Sequence, residues 1–165
     1  MKRYCLYLFI LIGISCSAEL KAQRNGTVYK GNDPAVRYTG RTLVSSDGSV
    51  AFDWVGTYLE TRFTGGRLSV KVSETGTSYY NVFVDGKLHK VVKVCGTDTL
   101  IHLVSGIDKR IHSLKIQKRS EGEFGKTTIH QFVLSGSGRL AEEPAVRTRH
   151  IEFIGSALTC GYGTD

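Results

Sequence analysis

Between residues 27 and 134 the chain is written in short runs of β-branched and aromatic residues, punctuated by Gly, Asp, Asn and Ser. No stretch carries the apolar spacing of an amphipathic helix over enough length to compete, so the pattern predicts an all-β unit. The runs fall at 36–44, then 50–54 after the turn Ser46-Asp47-Gly48, then 57–63 after Gly56. Gly65-Gly66 is expected to reverse the chain into Leu68-Ser69-Val70-Lys71-Val72, whose alternation of apolar and polar residues is that of a half-buried strand. After Glu74-Thr75-Gly76-Thr77 comes a run over 79–84, and Asp85-Gly86 is a two-residue hairpin signal joining it to 88–94. Runs at 99–104, 111–116 and 127–134 complete about nine strands at short, regular spacing, which suits a jelly-roll-like β-sandwich.

The pattern changes at both ends. Lys2 and Arg3 precede an apolar run over residues 4–15 that is too short to span a bilayer, and Leu20-Lys21-Ala22 precedes Gln23. That order is the anatomy of a secretory signal, expected to be cleaved after Ala22 and to leave an exported chain with no transmembrane segment. Lipid anchoring through Cys16 is the alternative, although Gly13-Ile14-Ser15 lacks the usual leucine three residues before it. At the other end, residues 136–149 are polar, contain Gly and then meet Pro144, the composition of a linker. The expected organisation is a signal at 1–22, a sandwich at 27–135, a linker at 136–149 and the start of a second unit at 150–165.

Composition adds little to this picture and removes several alternatives. With 41% hydrophobic and 22% charged residues in 165, there is material for one ordinary core. Signal cleavage takes 3 of the 22 basic and 1 of the 15 acidic residues, leaving a net charge of +5. The densest basic cluster, Lys87, Lys90 and Lys93, alternates between the faces of a strand and makes no stripe, so nucleic acid is not an expected partner. Cys95 and Cys160 are the mature cysteines and form no disulfide framework. No paired CxxC or HxxxH pattern is present, and Gly155, Gly161 and Gly163 fail the phosphate-loop spacing, so no metal or cofactor is expected.

Candidate chemistry lies in aromatic residues and in one glycine-rich block. Trp54, Tyr58, Tyr79 and Tyr80 offer flat apolar ring faces of the kind on which sugars stack, with Trp54, Tyr79 and Tyr80 the candidate binding residues for a glycan or a neighbouring domain. Tyr79 and Tyr80 are adjacent on one strand and must point to opposite faces, so at most one enters the core. His89, His102, His112, His130 and His150 are scattered through strand patterns and are read as strand-face or core residues, since a triad is recognised by geometry and not by occurrence. Asp53 and Glu60 are read as surface carboxylates and not as a glycosidase pair.

Residues 150–154 form an apolar strand that runs into Gly155-Ser156-Ala157-Leu158-Thr159-Cys160-Gly161-Tyr162-Gly163, a strand-to-loop passage of the type that carries a nucleophile. This block resembles the first signature of the SGNH/GDSL esterases in the form found in carbohydrate esterase family 2, acetyl xylan esterases among them. Asn81-Val82-Phe83-Val84-Asp85-Gly86 and Leu114-Lys115-Ile116-Gln117-Lys118-Arg119-Ser120-Glu121 likewise resemble the N-terminal jelly-roll of that family. The resemblance implies a fold in which the sandwich is followed by the first strand and loop of a truncated α/β SGNH-type domain. It also implies a serine nucleophile in the block, further oxyanion donors from a later Gly and Asn, and a base from a later His.

With both flanks in register, the family's nucleophile falls on Ala157 and its preceding Asp or Asn falls on Ser156. A methyl group cannot attack a carbonyl, and Ser156 sits one residue off on a tight turn, where nucleophile geometry tolerates little displacement. The later blocks are expected to be missing from a chain whose last residue is Asp165. The resemblance therefore implies the accessory sandwich of an exported acetylesterase, without an intact catalytic residue and inactive by itself. Its partner is an acetylated polysaccharide or a catalytic domain. The rival expectation is a non-catalytic glycan-binding module.

Overall fold

The computed structural model describes residues 26–141 together with 148, 149, 151, 154–156 and 159. The expected signal at 1–22, with Cys16, lies outside the described residues, as do Ala157 and Cys160. Among the described residues, eight strands form a single antiparallel sheet: β1 (Gly26–Lys30), β2 (Val36–Thr39), β3 (Leu43–Val44), β4 (Val50–Phe52), β5 (Tyr58–Val84), β6 (Lys87–Lys118), β7 (Thr127–Ser135) and β8 (Arg139–Leu140). A short 3-10 turn at Gly122–Phe124 precedes β7.

The two long strands fold this sheet over on itself. β5 runs through a front layer at 58–64, a back layer at 67–74 and the front again at 77–84, and β6 follows it antiparallel at 111–118, 99–104 and 87–95. In the front layer β2 and β8 lie along the edge of 58–64, followed by 111–118, 77–84 and finally 87–95. In the back layer β3 pairs with β4, β4 and β1 both pair with β7, and β7 pairs with 67–74, which pairs with 99–104. The result is the expected all-β, jelly-roll-like architecture.

The core is the meeting of the two inner faces. Leu59, Phe63, Tyr80, Val82, Leu114 and Ile116 come from the front, and Leu68, Val70, Val72, Leu103, Phe132 and Leu134 from the back. Strict alternation selects them: along 111–118 every second residue is buried while its neighbours stay exposed or half-buried. Burial of such side chains supplies the driving force, at roughly 1.5–3 kcal/mol for each large apolar group.

Two local expectations are corrected. Gly65-Gly66 does not reverse the chain into a hairpin, because 58–64 pairs with 111–117 while 68–72 pairs with 99–104 and with β7. Instead it bends β5 from the front layer to the back, with Gly66 at φ 78°. The linker expected from residue 136 onward contains β8: Leu140 pairs with Phe63 and is buried, and Ala141 N–H donates to the Arg62 carbonyl at 2.8 Å. One buried leucine in a polar, glycine-containing stretch was enough to extend the sheet there. By contrast Asp85-Gly86 closes the expected tight hairpin, pairing Val84 with Lys87, with φ 50° and 76° at its central residues.

Candidate functional site

The outer face of the front layer brings aromatic, polar and charged side chains into register. Cross-strand partners share a face, so register places Tyr58, Gln117, Asn81 and Val91 in one row. Arg37, Glu60, Lys115 and Phe83 form the row on one side of it, and Tyr79 with Lys93 lies on the other. The Lys115 ammonium stands 4.1 Å from the centre of the Tyr58 ring and 5.8 Å from that of Phe83. Arg37 donates to Glu60 at 2.7 Å. On the side of the Glu60–Lys115–Phe83 row away from Tyr58, a shallow open depression is lined by Glu60, Arg62, Phe83, Gly86, Ser113 and Lys115. The sequence does not single out Phe83 or Lys115, although Phe83 alternates in step with Tyr79 and Asn81 on one segment and Lys115 faces it on the next.

The candidate aromatics separate. Tyr79 is exposed on this outer face, and its backbone N–H donates to Ser120 Oγ at 2.8 Å. Trp54 is 58% exposed in the loop before β5, with the Arg41 guanidinium 5.8 Å from its ring. Tyr80 is withdrawn from any surface ligand, being 2% exposed with its ring edge-on to Phe52. Alternation along the strand puts it in the core, and its hydroxyl is answered there by Thr127 Oγ1. The Thr127 hydroxyl donates in turn to Glu74 Oε2 at 2.5 Å. Burial raises the Tyr80 hydroxyl above the ordinary tyrosine range, with the Glu74 charge adding to the effect and the Thr127 hydrogen bond opposing it. Nearby Lys118, 1% exposed, donates to Gly125 O at 2.6 Å and to Ser78 Oγ at 3.1 Å. Its ammonium is pushed below the ordinary lysine range by burial, against the pull of Glu74 and Asp53.

Histidines meet serines on the back layer without forming a triad. Ser69 Oγ lies 2.8 Å from His102 Nδ1, and Ser73 Oγ lies 2.8 Å from His130 Nε2. A triad places the serine on one ring nitrogen and the carboxylate on the other. Here Asp98 approaches the same Nε2 of His130, at 3.8 Å, and its backbone N–H occupies Ser73 Oγ at 3.0 Å. Among the described residues no carboxylate is bonded to His102. These pairs read as strand-face hydrogen bonds.

His112 is the histidine with the most structural consequence. Its ring is buried against Phe63 and reaches Asp85 Oδ2 from Nδ1 at 2.7 Å and Asp108 Oδ1 from Nε2 at 2.9 Å. Both nitrogens meet carboxylates, so the imidazolium ties the hairpin turn at Asp85 to the turn at Asp108. The hydrogen bond to Asp85, then that to Asp108, raises His112 above its ordinary 6.5, while desolvation works against them. Asp85 is lowered chiefly by His112, and Asp108 is lowered to about 2, chiefly by the Arg110 backbone N–H.

A raised histidine stabilises the fold fully below its unfolded value and loses that contribution as pH climbs through the folded one. The stability advantage of the native protein over His112→Gln is therefore expected to be largest just below pH 6.5 and to shrink on the alkaline side. Urea midpoints across that range check it, and a pH-independent difference would remove the charge from the explanation.

Of the glycine-rich block, Ser156 is exposed and its carbonyl accepts the Thr159 N–H at 2.9 Å, while Ile151 and Ile154 are exposed as well. The position of the expected nucleophile, Ala157, falls outside the described residues.

Comparison with known proteins then places the domain. Residues 38–144 match the family model for the carbohydrate esterase 2 N-terminal domain. The chain is 33% identical over 134 residues to the cellulase/esterase CelE of Acetivibrio thermocellus, covering 81% of this chain and 16% of that protein. It is 29% identical over 135 residues to an acetylxylan esterase / glucomannan deacetylase of Cellvibrio japonicus, covering 81% of this chain and 37% of the other. Among solved structures, a family two carbohydrate esterase from Clostridium thermocellum in complex with cellohexaose superposes with a TM-score of 0.70 at 34% identity, over 78% of this chain and 39% of that one. The chain thus spans well under half the length of these relatives.

Proposed function

The chain belongs to the carbohydrate esterase 2 N-terminal family, and from that premise we propose that it serves as the accessory sandwich of an exported enzyme that removes acetyl groups from xylan-like polysaccharides. The observation that carries the reading is the family match over residues 38–144, which covers the folded sandwich from within β2 through β8. Relatives named for acetylxylan and glucomannan deacetylation support the substrate class. Relatives acting on such polysaccharides also support export, with cleavage after Ala22 as the route and lipid anchoring at Cys16 as the alternative.

In this reading the sandwich has no part in bond cleavage. The resemblance puts the nucleophile at Ala157, whose methyl group has no lone pair to offer, and the oxyanion donors and the base belong to a catalytic domain. Organisation into a signal at 1–22, a sandwich and the start of an SGNH-type unit near 150 is part of the proposal. With alanine at the expected nucleophile position, residues 1–165 are expected to release no acetate from acetylated xylan or from a chromogenic acetate ester.

The same chain joined to a complete family esterase domain, and carrying Ala157→Ser, is expected to release acetate, whereas the joined protein with Ala157 retained is not. Hydrolysis by the unjoined chain would place a catalytic site in the sandwich and overturn the assignment.

A further inference from the structure

We propose that the outer face of the front layer binds a glycan bearing carboxylates, a uronate-substituted polysaccharide, with Tyr79, Tyr58 and Phe83 supplying apolar surface and Lys115, Arg62 and Lys93 receiving the carboxylates. The inference rests on the carbohydrate reading above and deepens it by naming the charge of the ligand. Register and alternation put Arg37, Arg62, Lys93, Lys115 and Arg139 on this face, while the carboxylates beside them are engaged, Glu60 by Arg37 at 2.7 Å and Asp85, at the end of the Phe83 strand, by His112 at 2.7 Å. That asymmetry is local: on the back layer Lys71 is matched by Asp98 at 3.3 Å.

Sugar rings present apolar C–H faces and polar edges, and a ligand of that shape needs flat carbon surface flanked by hydrogen-bonding groups. Tyr79 is exposed, Tyr58 and Phe83 are half-buried, Asn81 and Gln117 stand among them in register, and Ser113 lies with Arg62 one row beyond Phe83. Lys115 is held over the Tyr58 ring at 4.1 Å, which fixes a cation beside the aromatic surface before any ligand arrives. A positioned cation loses less side-chain freedom on binding than a free lysine does. A neutral glycan would leave this face's surplus of cations unanswered, and charge complementarity is what selects the uronate.

The test is isothermal titration of the whole chain with glucuronoxylan oligosaccharides, with the same oligosaccharides after reduction of their carboxyl groups, and with inorganic polyphosphate as a ligand of charge alone. Carboxyl reduction and Lys115→Met are each expected to weaken binding by about three- to fivefold, the scale of an exposed ion pair. Tyr79→Ala is expected to weaken glycan binding by about five- to tenfold and to leave polyphosphate binding unchanged. Lys71→Ala, on the opposite face, is expected to change nothing, and circular dichroism of each variant reports whether the sandwich is intact.

Equal affinity for the reduced glycan, equal losses from Lys71→Ala and Lys115→Met, or no binding by the intact chain would each overturn the proposal. Acetate release by the joined protein is read separately, so failure on this face leaves the esterase reading standing.

Discussion

Lys118→Met is expected to lower the free energy of unfolding by about 3–5 kcal/mol, the scale of leaving two buried acceptors without their charged donor and a nearby buried carboxylate without a counter-charge. The substitution nearly conserves length and volume, so the loss is electrostatic and not a cavity effect. Without the ammonium, Gly125 O loses the donor at 2.6 Å, Ser78 Oγ loses the one at 3.1 Å, and Glu74, itself 6% exposed, loses the positive charge beside it. Glu74 still accepts from Thr127, but a hydrogen bond from a hydroxyl does not neutralise a buried carboxylate. Adding Glu74→Gln to Lys118→Met removes the stranded charge and is expected to recover part of the loss. Urea denaturation of the two variants decides the matter: if the double variant is no better than the single one, the unpaired carboxylate is not the cause.

The second large effect is expected at a backbone bend. Gly66 sits at φ 78°, and a Cβ there would collide with the Ser135 carbonyl oxygen, a backbone atom that cannot swing aside. Gly66→Ala combines a left-handed conformation, about 1–2 kcal/mol, with steric overlap of about 1–3 kcal/mol, for a total of about 2–5 kcal/mol. Gly86 provides the internal control, with nearly the same φ of 76° and no atom within 4 Å of the place a methyl group would take. Gly86→Ala is expected to show the conformational cost alone. Equal losses at the two sites would mean that the passage between layers yields to accommodate the methyl group.

Gly65-Gly66 also marks where reading the sequence stops being sufficient. A glycine pair says that the chain turns but not how far, and both a hairpin and a bend between layers satisfy local conformational preference. What distinguishes them is pairing with 111–117 and with 99–104, partners more than thirty residues away on β6. Asp85-Gly86 was legible because its partners are adjacent in sequence. The opposite fates of Tyr79 and Tyr80 followed from strand periodicity, although which of them went inside depended on the packing of Phe52.

β1 and β8 were missed for a related reason. Each is short, and each is held by neighbours distant in sequence: β1 by β7, and β8 by Phe63 and Thr64. The front-layer face was half-legible. Tyr58 and Tyr79 were visible as aromatics, whereas the juxtaposition of Lys115 with Tyr58 and Phe83 exists only once three separate segments are aligned. The family resemblance rests on contiguous motifs, which are legible without any alignment of distant segments.

One contact at the side of the sandwich bears on how the domain behaves among its own copies. Lys90 extends from the last strand segment of the front layer and donates to the His102 carbonyl on the outermost segment of the back layer, at 2.6 Å. An outermost strand whose carbonyls are open is a template on which another chain can add, and a lysine already spending its ammonium there both occupies an acceptor and places a charge in the path of an incoming strand. The unclosed flank of this sandwich is thereby guarded against edge-to-edge aggregation, so that the same backbone groups that build the fold do not recruit a second copy of it.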